Sequence, residues 1–336
     1  MRIALDAMTS ELGVEEAVYG LFNALALVPD LKVLAVGRPD VLRPLLDKGP
    51  RGLLARVELI QSSDVIGMDE EPSAAFKAKR DASVSVAARL VKEGRADGAL
   101  SPGNSGASMA AATLLLGRVP GVRRPAILTL LPSRHGYCGL LDSGAVVDCR
   151  PEDLAQFAVM GSVFMQHVMG VAAPRVGLLS IGEEDKKGNA QTLEALPLLK
   201  AAGLNFLGNV EGRDLFDGSC DLAVCDGFVG NIVLKTAEGL AKLITSELRA
   251  QYSGLGPLAK LGGLLSRPAF RALSRRMSPD TAGGGPLLGV GGVFIITHGK
   301  ANRTMLMNGL KVAATCAAED VPARLGAAFA TAERAA

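Results

Sequence analysis

Short apolar runs alternate with stretches of helical spacing along almost the whole chain. Residues 3–5, 33–36, 57–60, 98–100, 126–130, 139–141, 176–179, 205–207, 222–224 and 293–296 predict strands. Between them, residues 14–27 carry apolar side chains at 14, 17, 18, 21, 22 and 25, the spacing of one helix face. Residues 83–92 and 154–168 behave likewise, and 229–252 predict a long helix. Strands so short and so nearly all apolar are buried on both faces. That implies a mainly parallel sheet covered by helices, an α/β fold whose ligands meet the carboxyl ends of the strands.

Two of these strands run into glycine-asparagine turns that open helices. One turn reads Ser101-Pro102-Gly103-Asn104-Ser105-Gly106 and the other Cys225-Asp226-Gly227-Phe228-Val229-Gly230-Asn231. A helix start exposes backbone N–H groups without partners inside the helix, so each turn is either an ordinary cap or an anion site. Neither fits the GxxxxGK[ST] pattern of a P-loop, and the first lacks the final glycine of a GxSxG elbow. Three further loops carry charge. Residues 72–81 bring Lys77, Lys79 and Arg80 close together ahead of a helix. Residues 182–189 hold three adjacent acids with Lys187 and Asn189, too little for a metal site without histidine. Residues 208–214 alternate Glu211, Arg213 and Asp214 with glycines, as in a rigid, internally paired loop. Asp6 and Asp142 each end a strand.

Composition narrows the classes. Of 336 residues 49% are hydrophobic but only 4% aromatic, so a large core must be built from Leu, Val, Ala and Ile. Glycine, at 40 residues, exceeds the usual ~7% and gathers at strand-to-helix joints. A net charge of +2 and the lack of an aromatic-basic platform exclude nucleic acid as an expected partner. Five cysteines form no CxxC pair, and the three histidines show no zinc spacing and no Ser-His-Asp set, so no metal is expected. No secretory leader and no apolar run of about 18 residues is legible, and the expected compartment is a reducing cytoplasm. One segment departs from the pattern. Residues 253–276 mix apolar side chains with Lys260, Arg267, Arg271, Arg275 and Arg276 and contain no acid, which suits either a solvated hairpin or dimer contact, or an anionic membrane surface.

An ordered set of loops resembles the bacterial acyl-ACP:phosphate acyltransferases (PlsX). It comprises Asp6-Ala7-Met8, residues 66–70, Gly103-Asn104-Ser105-Gly106-Ala107, Gly117-Arg118 with Arg124-Pro125, Leu141-Asp142 with Val147-Asp148-Cys149, residues 182–189, 208–214, 225–231 and 284–289. The resemblance implies a three-layer α/β/α fold like that of phosphate acetyltransferases and isocitrate/isopropylmalate dehydrogenases, in a homodimer. It implies one catalytic domain over 1–336 with a protruding helical hairpin at 240–280, and transfer of a fatty acyl group from acyl carrier protein to inorganic phosphate. The acyl phosphate would feed phospholipid synthesis through a glycerol-phosphate acyltransferase, with no cofactor. It also implies peripheral attachment of a cytoplasmic protein to the membrane through 253–276.

The sequence departs from the family where Thr9-Ser10-Glu11 replaces a Gly-Gly-Asp, Val146 an asparagine, and Lys77 an arginine. Lys79 and Arg80 with the Gly103–Gly106 turn (Gly103, Ser105, Gly106) are assigned to phosphate. Asn231 or Asn104 is assigned as the oxyanion donor, and Asp226 as the group that orients a cation or the asparagine. Asp6, Asp142, Lys187, Asn189, Glu211 and Arg213 are placed in supporting loops. Three alternatives stay open: a weakened paralogue serving as a membrane scaffold, an enzyme acting on another acyl thioester, and a dehydrogenase of the same architecture.

Overall fold

The computed structural model describes residues 1–254 and 257–335. Its strands are β1 (Arg2–Asp6), β2 (Lys32–Gly37), β3 (Val57–Gln61), β4 (Gly98–Ser101), β5 (Ala126–Ile127), β6 (Thr129–Ser133), β7 (Gly136–Leu141), β8 (Val176–Leu179), β9 (Phe206–Val210), β10 (Leu222–Val224), β11 (Gly285–Leu288) and β12 (Val293–Ile296). The fold is α/β with mainly parallel strands, but these divide between two sheets. A seven-stranded sheet runs β3-β2-β1-β4-β12-β11-β5 and a five-stranded sheet β6-β7-β10-β8-β9. Among the described residues the antiparallel pairs are β11 with β12, β11 with β5, and β6 with β7.

The chain crosses between the sheets at Leu128. The expected single strand over 126–130 is split there. The Leu128 N–H still bonds the Pro286 carbonyl of β11 at 3.1 Å, in register with β5, and its side chain is fully buried. One core cluster spans the junction, holding Leu5 and Leu100 from the first sheet with Leu141 and Leu222 from the second. β11 was not anticipated, because Gly285 and Pro286 hide a strand whose partners are distant in sequence.

Helix positions follow the hydrophobic pattern. Val14–Leu27 and Ser83–Lys92 fall as expected, and 154–168 starts earlier, at Pro151–His167, where Pro151 takes the first helical position. The helix Val14–Leu27 packs on Arg303–Ala318, and Gly20 allows the close approach, since a Cβ there would lie 2.8 Å from Leu306 Cβ.

The long helix runs Gly227–Gly254 and is followed by Pro257–Met277. Of the hairpin expected at 240–280, residues 255–256 and the side chains of 249, 252–261 (Lys260 included) and 279 lie outside the described residues. Arg267, Arg271, Arg275 and Arg276 are exposed, as are Leu240, Leu243, Leu264 and Leu265. Arg276 ties the hairpin back to the edge strand β6, donating to the carbonyls of Ser133 (2.5 Å) and Arg134 (3.1 Å).

Candidate active site

The turn after β4 is built by close contacts. A Cβ on Gly103 would stand 2.8 Å from Thr9, and one on Gly106 2.6 Å from Pro72. Asn104 caps the helix Ser105–Leu116, its Oδ1 accepting from Ala107 N at 3.1 Å. Its Nδ2 donates to the carbonyls of Met68 (3.2 Å) and Glu70 (3.1 Å). Both ends of the Asn104 carboxamide are therefore taken up inside the protein. The N–H groups of Ser105 and Gly106 find no acceptor among the described residues, and the Ser105 side chain is exposed.

Lys79 stands behind this turn. Its ammonium meets Glu70 at 2.6 Å and the Val65 carbonyl at 2.8 Å. Hydrogen bonding to Lys79 in turn lowers the Glu70 carboxyl below its usual range. Arg80 is exposed beside it. Asp6, fully buried at the end of β1, accepts from Thr9 Oγ1 (2.8 Å), Ser101 Oγ (2.9 Å) and Met8 N (3.2 Å). Burial raises its carboxyl above the ordinary range, and these donors oppose the rise. Thr9-Ser10 is thus not a loose substitute for glycines. Thr9 anchors Asp6, and Ser10 Oγ donates to the Ala301 carbonyl at 3.1 Å.

The second turn folds differently from its sequence expectation. The helix opens at Gly227, with Asp226 Oδ1 accepting from Val229 N at 2.8 Å. Asn231 therefore stands on a helix face and not in a turn, exposed beside Gly144. Asp142 holds the facing loop. Its Oδ1 accepts from the N–H groups of Ile127 (2.9 Å), Gly144 (3.1 Å) and Ala145 (3.0 Å), and its Oδ2 from Ala145 (2.9 Å) and Val146 (2.6 Å). Val146 acts here through its backbone, which asparagine would supply equally.

The remaining loops are internally paired. Arg213 meets Glu183 (2.7 Å), Glu211 (3.0 Å) and Asp214 (3.5 Å). Asn189 caps the helix Ala190–Ala201 through Thr192 N at 2.9 Å. The Lys187 carbonyl accepts from Asn209 Nδ2 at 3.2 Å, and the Lys187 side chain is exposed.

Between the two turns lies an open cavity of about 720 Å³. Ser105, Gly144, Asn231 and His298 line one part. Leu130, Leu131, Leu234, Ala241, Leu273 and Met277 line much of the rest. Of the assigned residues, Ser105 and Asn231 reach this space. Lys79, Arg80, Asn104 and Asp226 are not among its lining. Lys235, Glu238 and His298 do line it and were not singled out from the sequence. Lys235 Nζ lies 2.9 Å from His298 Nε2 and 3.1 Å from Glu238. The helical spacing from Asn231 to Lys235 was a readable signal, whereas the approach of His298 was not.

Residues 1–324 match the family described as fatty acid synthesis protein. The chain is 47% identical over 328 residues to the phosphate acyltransferase of Acidobacterium capsulatum, covering 98% of this chain and 97% of that one. It is 48% identical over 313 residues to the phosphate acyltransferase of Heliobacterium modesticaldum, covering 93% of each. Among solved structures, a phosphotransacetylase from Streptococcus pyogenes aligns with a TM-score of 0.65 at 18% identity, over 95% of this chain and 94% of that one. A 4-hydroxythreonine-4-phosphate dehydrogenase from Klebsiella pneumoniae aligns with a TM-score of 0.52 at 14% identity, over 94% and 97%. These structural likenesses concern the fold. With a family match over nearly its whole length and close to half its residues shared with two phosphate acyltransferases, this chain belongs to the fatty acid synthesis protein family.

Proposed function

We propose that this protein transfers a fatty acyl group from acyl carrier protein to inorganic phosphate, releasing acyl phosphate and the carrier thiol. The observation that carries the reading is the cavity, where polar groups at Ser105 and Asn231 adjoin a long apolar wall. A thioester with a long chain needs both. An acetyl group would leave Leu130, Leu234, Leu273 and Met277 facing water, which costs free energy in proportion to the apolar area.

The nucleophile is phosphate itself, so no enzyme-bound acyl intermediate is required. A phosphate oxygen attacks the thioester carbonyl, charge gathers on the carbonyl oxygen, and the carbon–sulfur bond breaks. The unpaired N–H groups and hydroxyl at Ser105 and Gly106 suit the anion. Asn231, exposed beside Gly144, suits the oxyanion, since its amide is not spent on the fold. Asn104 and Lys79 are positioning residues that hold 65–70 against the first turn, and Gly103 gives that turn room beside Thr9. Arg80 adds positive charge to the same segment. Asp226 positions Asn231 by capping its helix, and Asp142 fixes the loop opposite. Asp6, Lys187, Asn189, Glu211 and Arg213 shape the surrounding loops.

We further propose a single catalytic domain over 1–336, acting as a homodimer in the cytoplasm and bound peripherally to anionic membrane through 253–276. Exposed Leu264 and Leu265 among exposed arginines support this attachment. No helix among the described residues is long and apolar enough to cross a membrane. Acyl phosphate released there would pass to a glycerol-phosphate acyltransferase. The deciding assay incubates the protein with phosphate and a long-chain carrier thioester, and separately with an acetyl thioester. Acyl phosphate and free thiol from the first in large preference to the second are expected, and equal or reversed rates would remove the long-chain reading.

A further inference from the structure

Along the helix Gly227–Gly254, Asn231, Lys235 and Glu238 follow one another at spacings of four and three, so they share one face. Leu234, Ala237 and Ala241 form a parallel apolar strip beside it, and both strips line the cavity. A chain lying on the apolar strip has its functional group beside the polar one. Lys235 Nζ stands 2.9 Å from His298 Nε2 and 3.1 and 3.2 Å from the two Glu238 oxygens. An ammonium carries three N–H donors and no acceptor, so Nε2 accepts and the imidazole proton lies on Nδ1. Glu238 and His298 engage two of those donors and leave the third for a group in the cavity.

Burial, and then the Lys235 charge, lower His298 below the usual imidazole value. Lys242 acts in the same direction, and Glu238 and Glu11 oppose it. The ring is accordingly neutral near pH 7, as an acceptor for Lys235 must be. Glu238 also balances the Lys235 charge. The pair therefore offers a dianion little net attraction but keeps a transferable proton.

We propose that Lys235 is the general acid that protonates the departing carrier thiol, with Glu238 and His298 positioning its ammonium. This rests on the acyltransferase reading above. As the phosphate oxygen–carbon bond forms and the carbon–sulfur bond breaks, the electron pair passes to sulfur and a Lys235 proton follows it. The hydroxyl proton of the newly attached phosphate then returns to the Lys235 amine. The enzyme ends in its starting protonation state, and no outside reactant is consumed.

The test compares the wild-type protein with Lys235→Met and His298→Gln on two acyl donors of equal chain length. One is the carrier thioester, and the other an aryl thioester whose thiol leaves readily without protonation. Expected for Lys235→Met is a loss of about 10²-fold or more in kcat on the carrier thioester. On the aryl thioester its rate returns to within about threefold of wild type, with the KM for phosphate little changed. His298→Gln shows the same pattern, more weakly. Equal losses on both donors, or a raised phosphate KM with kcat kept, would overturn the assignment. Should a variant not fold, the wild-type protein decides through a series of leaving thiols. A shallow dependence of kcat/KM on thiol acidity supports the general acid, and a steep one overturns it. A wild-type protein that forms no acyl phosphate from any donor removes the acyltransferase reading itself, a result distinct from those above.

Discussion

Gly230 lies so close to Asp142 that a Cβ built upon it would stand 1.8 Å from the Asp142 carbonyl oxygen. The helix that carries Asn231 can therefore enter the site only because residue 230 has no side chain. The five hydrogen bonds made by the Asp142 carboxylate hold the opposing loop still while it does so. Gly230→Ala must push the helix start away from that loop. The expected cost is about 3 kcal/mol of stability, read as a lowered thermal midpoint, with activity lost as Asn231 leaves Gly144.

Asn104 and Asn231 stand in similar sequence motifs but do different things. Asn231→Ala is expected to lower kcat about 10²-fold, or about 3 kcal/mol of barrier, with little change in thermal stability. Asn104→Ala is expected to lose a helix cap worth about 1 kcal/mol and to release the carbonyls of Met68 and Glu70, so its loss appears first in the unfolding curve. Steady-state kinetics and thermal unfolding of the two variants together decide it. The reverse pattern would return the oxyanion role to Asn104.

The apolar wall sets a chain-length prediction. Ala241→Phe fills part of the cavity, so the preferred acyl chain shortens. Each methylene no longer accommodated costs about 0.8 kcal/mol, close to fourfold in kcat/KM. A series of carrier thioesters of increasing length measures this, and an unshifted optimum would place the chain elsewhere.

Thr9 packs on Gly103 and donates to the buried Asp6 carboxylate at 2.8 Å. Thr9→Val keeps the shape and removes the donor. About 1–2 kcal/mol of stability should go with it, because a buried acceptor is left short of a partner. Chemical denaturation measures the difference.

Arg303 clasps Glu16, its Nε lying 3.1 Å from each carboxylate oxygen and its backbone N 2.6 Å from Oε2, while its guanidinium lies 4.5 Å from the Tyr19 ring centre. Hydrogen bonding to Arg303 depresses the Glu16 carboxyl below its ordinary 4.5. A depressed carboxyl contributes stability above its unfolded value and loses it as pH falls through the folded one. Glu16→Gln should therefore cost about 1 kcal/mol near neutral pH and flatten the acid limb of the stability curve below about pH 4.5. Unfolding midpoints measured across that range, for both proteins, give the comparison.

Local pattern made much of this molecule legible. Residues 14–27 and 83–92 carry their period within themselves, and their helices fall where that period places them. The opposite charges around Arg213 read as an internally paired loop because their partners are mostly neighbours. Lys79 was harder to read, since three cations close together look like an anion site until Glu70 is seen to face one of them. Lys235 and His298 were not legible as a pair, because 63 residues separate them and neither carries a motif.

The sequence by itself determined the α/β class, most strands and helices, and the family, all of which depend on the order and spacing of residues along the chain. Tertiary structure alone decided the division into two sheets at Leu128, the hidden strand β11, and which polar groups reach the cavity. Those outcomes depend on contacts between segments far apart in the chain. They are set by register, by the close approaches that Gly103, Gly106 and Gly230 permit, and by whether a charged group finds its partner in the fold or is left facing open space.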